Sequence, residues 1–212
     1  MQCGPVRFRV DDRKQAEKRP FGHRVILRRT GFVLPRGLAE RPDLPIHELY
    51  KALIGDEARN DMIIQDVVRT VAQGRSPVLL TERRDHLELL AGRLGSLVRN
   101  MIVLKGGMGV RQRSAASEEL ARIPDGEERL IIATGRYLGE GFDDARLDTL
   151  FLALPVSWRG TLAQYAGRLH RNHQGKSEVI IFDYADLNIP MLARMYERRR
   201  VGYRNIGYEL DA

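Results

Sequence analysis

The chain alternates between two kinds of hydrophobic pattern. Short continuous apolar runs at Arg24–Leu27, Val78–Thr81, Met101–Leu104, Leu130–Ala133, Thr149–Leu154 and Val179–Phe182 predict strands. Between them, apolar residues recur at spacings of three and four, which predicts helices. Met62, Ile63, Val67, Val68 and Val71 mark the first, with Gly74 as its stop. Further helices are predicted over Asp85–Leu94, Ser114–Ile123, Thr161–Arg171 and Pro190–Arg200, the second of these ending at the Pro124-Asp125-Gly126 turn. Pro35, Pro42 and Pro45 predict a loop. The first 22 residues show little periodicity and are rich in charge.

The predicted strands are continuous apolar runs, so both faces of their sheet are expected to be covered. Strand and helix alternate, which implies a parallel, doubly covered α/β sheet. Ligands of such sheets sit beyond the carboxyl ends of the strands, which puts candidate residues just after each run. The chain divides into a basic linker or arm (1–22), an α/β domain (23–190) and a C-terminal helix and tail (191–212).

Composition narrows the class. The 212 residues are 43% apolar and 30% charged, an ordinary globular balance. No apolar run approaches the roughly 18–20 residues that span a bilayer, and the N-terminus has no secretory pattern. Cys3 is the only cysteine, so no internal disulfide can form and a cytoplasmic location is expected. The net charge is +7, and an excess of six positive charges falls within residues 1–30. A basic arm on a balanced domain fits a polyanionic partner, or simply a solvated lead-in.

Four segments carry candidate chemistry. In Thr161–Arg171 (TLAQYAGRLHR), Leu162, Tyr165, Ala166 and Leu169 share one helical face, and Gln164, Gly167, Arg168 and Arg171 share the opposite one. Two arginines beside a glycine suit a close-approaching anion, or a solvated face with a tolerated glycine costing about 1 kcal/mol. Thr161 and Gln164 also have the spacing of a capping box. In Leu130–Asp143 (LIIATGRYLGEGFD) a buried strand runs into Thr134, Gly135, Gly139, Gly141 and Asp143, either a ligand loop or a turn. Leu104–Arg113 (LKGGMGVRQR) brings three glycines and two arginines to a helix start, where phosphates can bind. Val78–Arg84 (VLLTERR) ends in Thr81, which can bond a phosphate or cap the next helix.

In order and spacing, these four segments resemble the motifs of the second RecA-like domain of superfamily 2 helicases. VLLTERRDHLELL resembles motif IV, LKGGMGVRQR the backbone-contacting segment that follows, LIIATGRYLGEGFD motif V and QYAGRLHR motif VI. The motif VI form, Gln-x-x-Gly-Arg-x-x-Arg, is similar to that of DNA translocases and type III restriction helicases. The resemblance covers roughly residues 46–190.

That resemblance implies a RecA-like, three-layer α/β/α sandwich with a mostly parallel sheet. It implies ATP with Mg²⁺ bound between this chain and an N-terminal RecA-like lobe, in cis or in trans. Gln164, Arg168 and Arg171 would be catalytic, and Gly139, Gly141 and Asp143 would join the two arginines in holding nucleotide. Thr81, Arg83, Gly107, Arg111 and Thr134 would contact the DNA or RNA backbone. The chain has neither a Gly-x-x-x-x-Gly-Lys-[Ser/Thr] phosphate loop nor an Asp-Glu-Ala-Asp/His tetrad, so it reads as half of an ATPase, a fragment or one part of a split protein. No metal site is expected: His170 and His173 lack matching ligands. Trp158 could stack on a base or pack internally. The alternatives are a non-catalytic nucleic-acid-binding module and a nucleotide-dependent scaffold.

Overall fold

A computed structural model describes residues 16, 18–41, 43–135, 137, 144–156 and 161–211. Its seven strands are β1 (Gly22–Arg29), β2 (Pro77–Thr81), β3 (Met101–Leu104), β4 (Leu130–Thr134), β5 (Thr149–Leu152), β6 (Glu178–Ala185) and β7 (Glu209–Asp211). They form one sheet in the order β3-β4-β2-β5-β6-β1-β7, and every pairing is parallel. The helices are α1 (Arg36–Ala39), α2 (Ile46–Ile54), α3 (Glu57–Ala72), α4 (Arg84–Leu94), α5 (Val110–Arg122), α6 (Ala163–Leu169) and α7 (Pro190–Asn205).

The period of two along each strand sorts the apolar runs between two cores. Val78 and Leu80 of β2, Ile131 and Ala133 of β4, and Leu150 and Leu152 of β5 face one side, beneath α6 and Leu120 of α5. Leu79, Leu130, Ile132 and Phe151 face the other, beneath α3 and α4. This double cover is why the runs are uninterrupted. The architecture is the RecA-like α/β sandwich, and the described sheet is wholly parallel.

Two departures from the pattern have physical causes. Pro35 and Pro45 stand immediately before α1 and α2 instead of marking plain loop. Their fixed φ leads into a helix, and the missing N–H costs nothing at a first turn. Leu49, Leu53 and Ile54 of α2 then pack in a third cluster with Phe32 and Leu154. Beyond residue 190, the tail adds β7 beside β1, pairing Arg24 with Glu209 and Ile26 with Asp211. The sequence Glu-Leu-Asp carries no strand pattern, and its register comes from the neighbouring strand.

Candidate nucleotide and nucleic-acid faces

At the carboxyl ends of β2, β3 and β4, the chain encloses a recess of about 220 Å³ lined by Glu82, Arg84, Lys105, Gly106, Thr134 and Gly135. The Gly106 N–H donates to Thr134 Oγ1 at 2.9 Å, joining the ends of β3 and β4. Gly107, next along, has φ +88°, a conformation that L side chains rarely adopt. Lys105 Nζ lies 3.7 Å from Glu88. Arg111 is exposed in the first turn of α5, whose N-terminus is fixed by Gly109 N–H donating to Gln112 Oε1 at 3.1 Å.

Two predicted contact residues turn away from this recess. Thr81 is 1% exposed. Its oxygen accepts the Arg83 N–H at 3.3 Å and lies 3.2 Å from His86 Nδ1. Asn60 Nδ2 donates to Ile54 O at 2.8 Å, so Asn60 Oδ1 is the acceptor for His86 Nε2–H at 3.0 Å. His86 therefore keeps Nδ1 as an acceptor for the Thr81 hydroxyl. Burial, with Arg59 nearby, pushes His86 down to about 3, so it stays neutral. In this structure the Thr81 hydroxyl is spent inside the fold. Arg83 pairs with Asp85 at 3.4 Å, and Arg84 is the arginine that borders the recess.

Helix α6 presents the predicted faces. Leu162, Tyr165, Ala166 and Leu169 are buried, while Gln164, Gly167 and Arg171 are exposed and Arg168 is half-buried. Leu162 is already helical, with φ −66° and ψ −42°, so the helical path begins upstream of it. A Cβ on Gly167 would meet nothing within 4 Å, so packing inside the chain does not require glycine there.

Sequence alone does not show how α6 joins the two faces. Tyr165 donates to Glu82 Oε1 at 3.0 Å, and burial with this carboxylate pushes its hydroxyl pKa up. Directly below is Gly135, where a Cβ would overlap both Glu82 Oε1 and the Tyr165 hydroxyl. The glycine is required by close approach. Segments resembling motifs IV, V and VI thus meet at Glu82, Gly135 and Tyr165.

The far end of α6 emerges elsewhere. Arg171 lines a second depression, of about 420 Å³, with Lys18, Arg19, Pro20, His170 and Asn172. Residues 18–20 precede β1, so this depression lies at the amino edge of the parallel sheet. The expectation that candidates follow the strand ends therefore does not hold for Arg171. A helix following a parallel strand runs back across the sheet, and its last residues must come out at the opposite edge. His170 beside it shares a 2.9 Å hydrogen bond with the Tyr208 hydroxyl, and burial holds it neutral, at about 3.

Gly139, Gly141, Asp143 and Trp158 lie outside the described residues. Asp144, which follows, accepts from Arg129 Nη1 at 2.7 Å and from the Arg146 N–H at 3.0 Å. Burial opposes its ionisation, but Arg129 and Arg146 outweigh burial and hold its pKa below the ordinary value. Among the described residues no three His, Cys, Asp or Glu side chains gather to hold a metal ion, and no helix is long and apolar enough to cross a membrane.

No protein-family model matches the chain. Among solved structures, T4 UvsW superposes with a TM-score of 0.67 at 17% identity, over 91% of this chain and 41% of that one. The C-terminal part of the Fun30 ATPase domain gives 0.57 at 17%, over 69% and 46%. S. cerevisiae Dbp5 bound to RNA and ADP BeF3 gives 0.57 at 12%, over 95% and 41%. With the strand order, these define the fold as that of a RecA-like domain. In sequence, the chain is 36% identical over 104 residues to the uncharacterized protein 108L of Invertebrate iridescent virus 3, covering 92% of it and 49% of this chain. The chain belongs to the family of that protein. It is also 25% identical over 124 residues to transcript termination protein A18 of Fowlpox virus (strain NVSL), and 27% over 142 residues to that of Cowpox virus (strain Brighton Red). These alignments span 58% and 64% of this chain, but only 26% and 28% of the two poxvirus proteins.

Proposed function

We propose that this chain is the C-terminal motor domain of an ATP-dependent DNA or RNA helicase or translocase. The carrying observation is α6: a helix docked by four apolar residues, bonded to the recess through Tyr165, with Gly167 and Arg168 on its outer face and Arg171 two residues beyond its end. The similarity to two transcript termination proteins and the fold shared with an RNA- and nucleotide-bound protein support this reading.

The residues present suit only part of a nucleotide site. Arg168 and Arg171 can face a γ-phosphate, and the open space at Gly167 permits close approach. The phosphate loop and the Mg²⁺ ligands belong to a partner lobe. ATP with Mg²⁺, bound there, would supply the transferable phosphoryl group. A planar, forked guanidinium would stabilise the charge that develops on it. The recess side would take nucleic-acid backbone through the Gly107 amide, the Thr134 hydroxyl, Lys105 and Arg111. Such phosphate contacts carry no sequence information.

The test is nucleic-acid-stimulated ATP hydrolysis by the chain together with its phosphate-loop lobe. Arg171→Lys and Arg168→Lys should each cut turnover by roughly 10³ or more, with melting temperature little changed. The isolated chain should hydrolyse no ATP. Wild-type turnover in both variants, with single-strand binding intact, would leave a non-catalytic binding module instead.

A further inference from the structure

We propose that Lys176 is a positioning residue whose ammonium ties the end of the arginine helix to the turn that follows the motif V-like segment, and so fixes Arg171. This rests on the reading of Arg171 given above.

The geometry is a three-way clamp. Lys176 Nζ donates to Ala145 O at 2.7 Å, Leu169 O at 3.1 Å and Arg171 O at 2.7 Å. An ammonium has three N–H donors, and each here has a carbonyl. Leu169 closes α6, so its carbonyl is one of those that a helix end leaves without an intrahelical partner. A cation there also complements the helix dipole. The Phe21 ring lies 5.6 Å from Nζ on another side.

Ala145 belongs to the turn headed by Asp144. Arg146, in the same turn, donates to Leu120 O and Ile123 O, each at 2.8 Å, at the end of α5. The clamp therefore completes a connected path from the end of α5, through the 144–146 turn, to the end of α6. The motif V-like segment leads into the turn at the middle of that path, and Arg171 hangs from its α6 end.

The clamp needs the charge. A neutral amine has two N–H groups and a lone pair, so one of the three carbonyls would face a lone pair. Burial lowers Lys176 to about 8; Asp148 and Asp144 oppose the shift and Arg129 adds to it. His170, also near, is already neutral in this range. A folded pKa below the ordinary value means that the unfolded chain holds its proton longer. Deprotonation of Lys176 between pH 8 and about 10.5 therefore adds stability, and loss of order there is not global unfolding caused by this group.

The experiment uses the 212-residue chain and its Lys176→Met variant, which keeps the length of the stem and removes the donors. Amide exchange is measured at residues 145–147 and 169–172, with NMR order of the Arg171 Nε–H, from pH 7 to 9. In the wild type, exchange at these amides relative to the recess amides should rise and Arg171 order should fall through about pH 8. In the variant both should already be changed at pH 7, with exchange about tenfold faster, and flat with pH. Equal exchange and order in the two proteins would overturn the proposal.

A second arm measures ATP hydrolysis with the phosphate-loop lobe present. Lys176→Met should lower kcat about ten- to a hundredfold, as a misplacement of about an ångström does, with KM for nucleic acid unchanged. A variant as active as an active wild type would also overturn it. A wild-type assembly that hydrolyses nothing would count against the motor reading alone, and the exchange data would still decide the clamp.

Discussion

Helices α6 and α7 lie against the same face of the sheet, and both carry arginines, but they use them in opposite ways. On α7, Leu192, Tyr196, Arg199 and Tyr203 form one buried stripe. Arg199 sits within it, donating through Nε and Nη2 to Asp183, each at 2.8 Å, while the Tyr203 hydroxyl donates to the same carboxylate at 2.8 Å. On α6 the buried stripe is entirely uncharged; Arg168 stands beside it and Arg171 follows the helix end. An arginine on the apolar stripe belongs to the fold when a strand carboxylate faces it. An arginine beside a complete stripe can be changed without stranding a strand carboxylate in the core. A similar contrast separates Arg59, buried on Asp186 at 2.9 Å, from Arg84, exposed on the rim of the recess and paired with Glu88 at 3.0 Å.

The contrast breaks most sharply at Arg199. Arg199→Met strands the buried Asp183 carboxylate, so it should cost about 3–5 kcal/mol and lower the melting temperature by roughly 10 °C. Arg171→Lys should shift it by the equivalent of about 1 kcal/mol or less. Thermal melting of the two variants side by side checks this, and similar losses would erase the distinction.

Acid probes the buried side as a whole. His23, at about 4, and His86 and His170, each at about 3, are kept neutral chiefly by burial. The unfolded chain takes up these protons from about pH 6.5 downward, and the folded chain does so only near pH 3–4. Stability is therefore present above pH 6.5 and lost as pH falls, at about 1.4 kcal/mol per pH unit for each histidine. Melting curves from pH 7 to 4.5 should show a steep decline, and a flat profile would mean that the histidines are charged within the fold.

Gly167 sharpens the α6 side. Alanine adds a methyl into open space in mid-helix, so Gly167→Ala should stabilise by about 1 kcal/mol, or 2–4 °C. If a phosphate or the partner lobe approaches there, turnover should fall as stability rises. The smallest effects are expected at the recess rim. Lys105→Ala and Arg111→Ala should each reduce the salt slope of single-strand binding by about one, with no change in sequence preference.

How much of this was legible depends on what each residue faces. Strands β2 to β6 were readable because two covered faces leave uninterrupted apolar runs. The faces of α6 followed from a 100° step between Leu162 and Leu169. Helix α2 was hidden behind Pro42 and Pro45, which favour a loop until the helix finds Phe32 and Leu154. The burial of Thr81 depends on His86 and Asn60, the latter 21 positions away, and no local pattern reports it. Arg199 did leave a signal, a charge at spacings of three and four from Tyr196 and Tyr203. The Lys176 clamp left none, because its partners are backbone carbonyls, which any sequence supplies.

The last strand carries a consequence for handling the protein. Strand β7, the edge of the sheet among the described residues, is three residues long, begins with Glu209 and ends with Asp211, and Asp211 lies 3.4 Å from Arg24 on the strand beside it. An open sheet edge invites a second chain to add its own strand, the first step toward fibres. This edge offers few backbone groups and meets a newcomer with two carboxylates. Concentrated samples should resist aggregation through that edge, and Glu209→Gln with Asp211→Asn should remove the protection.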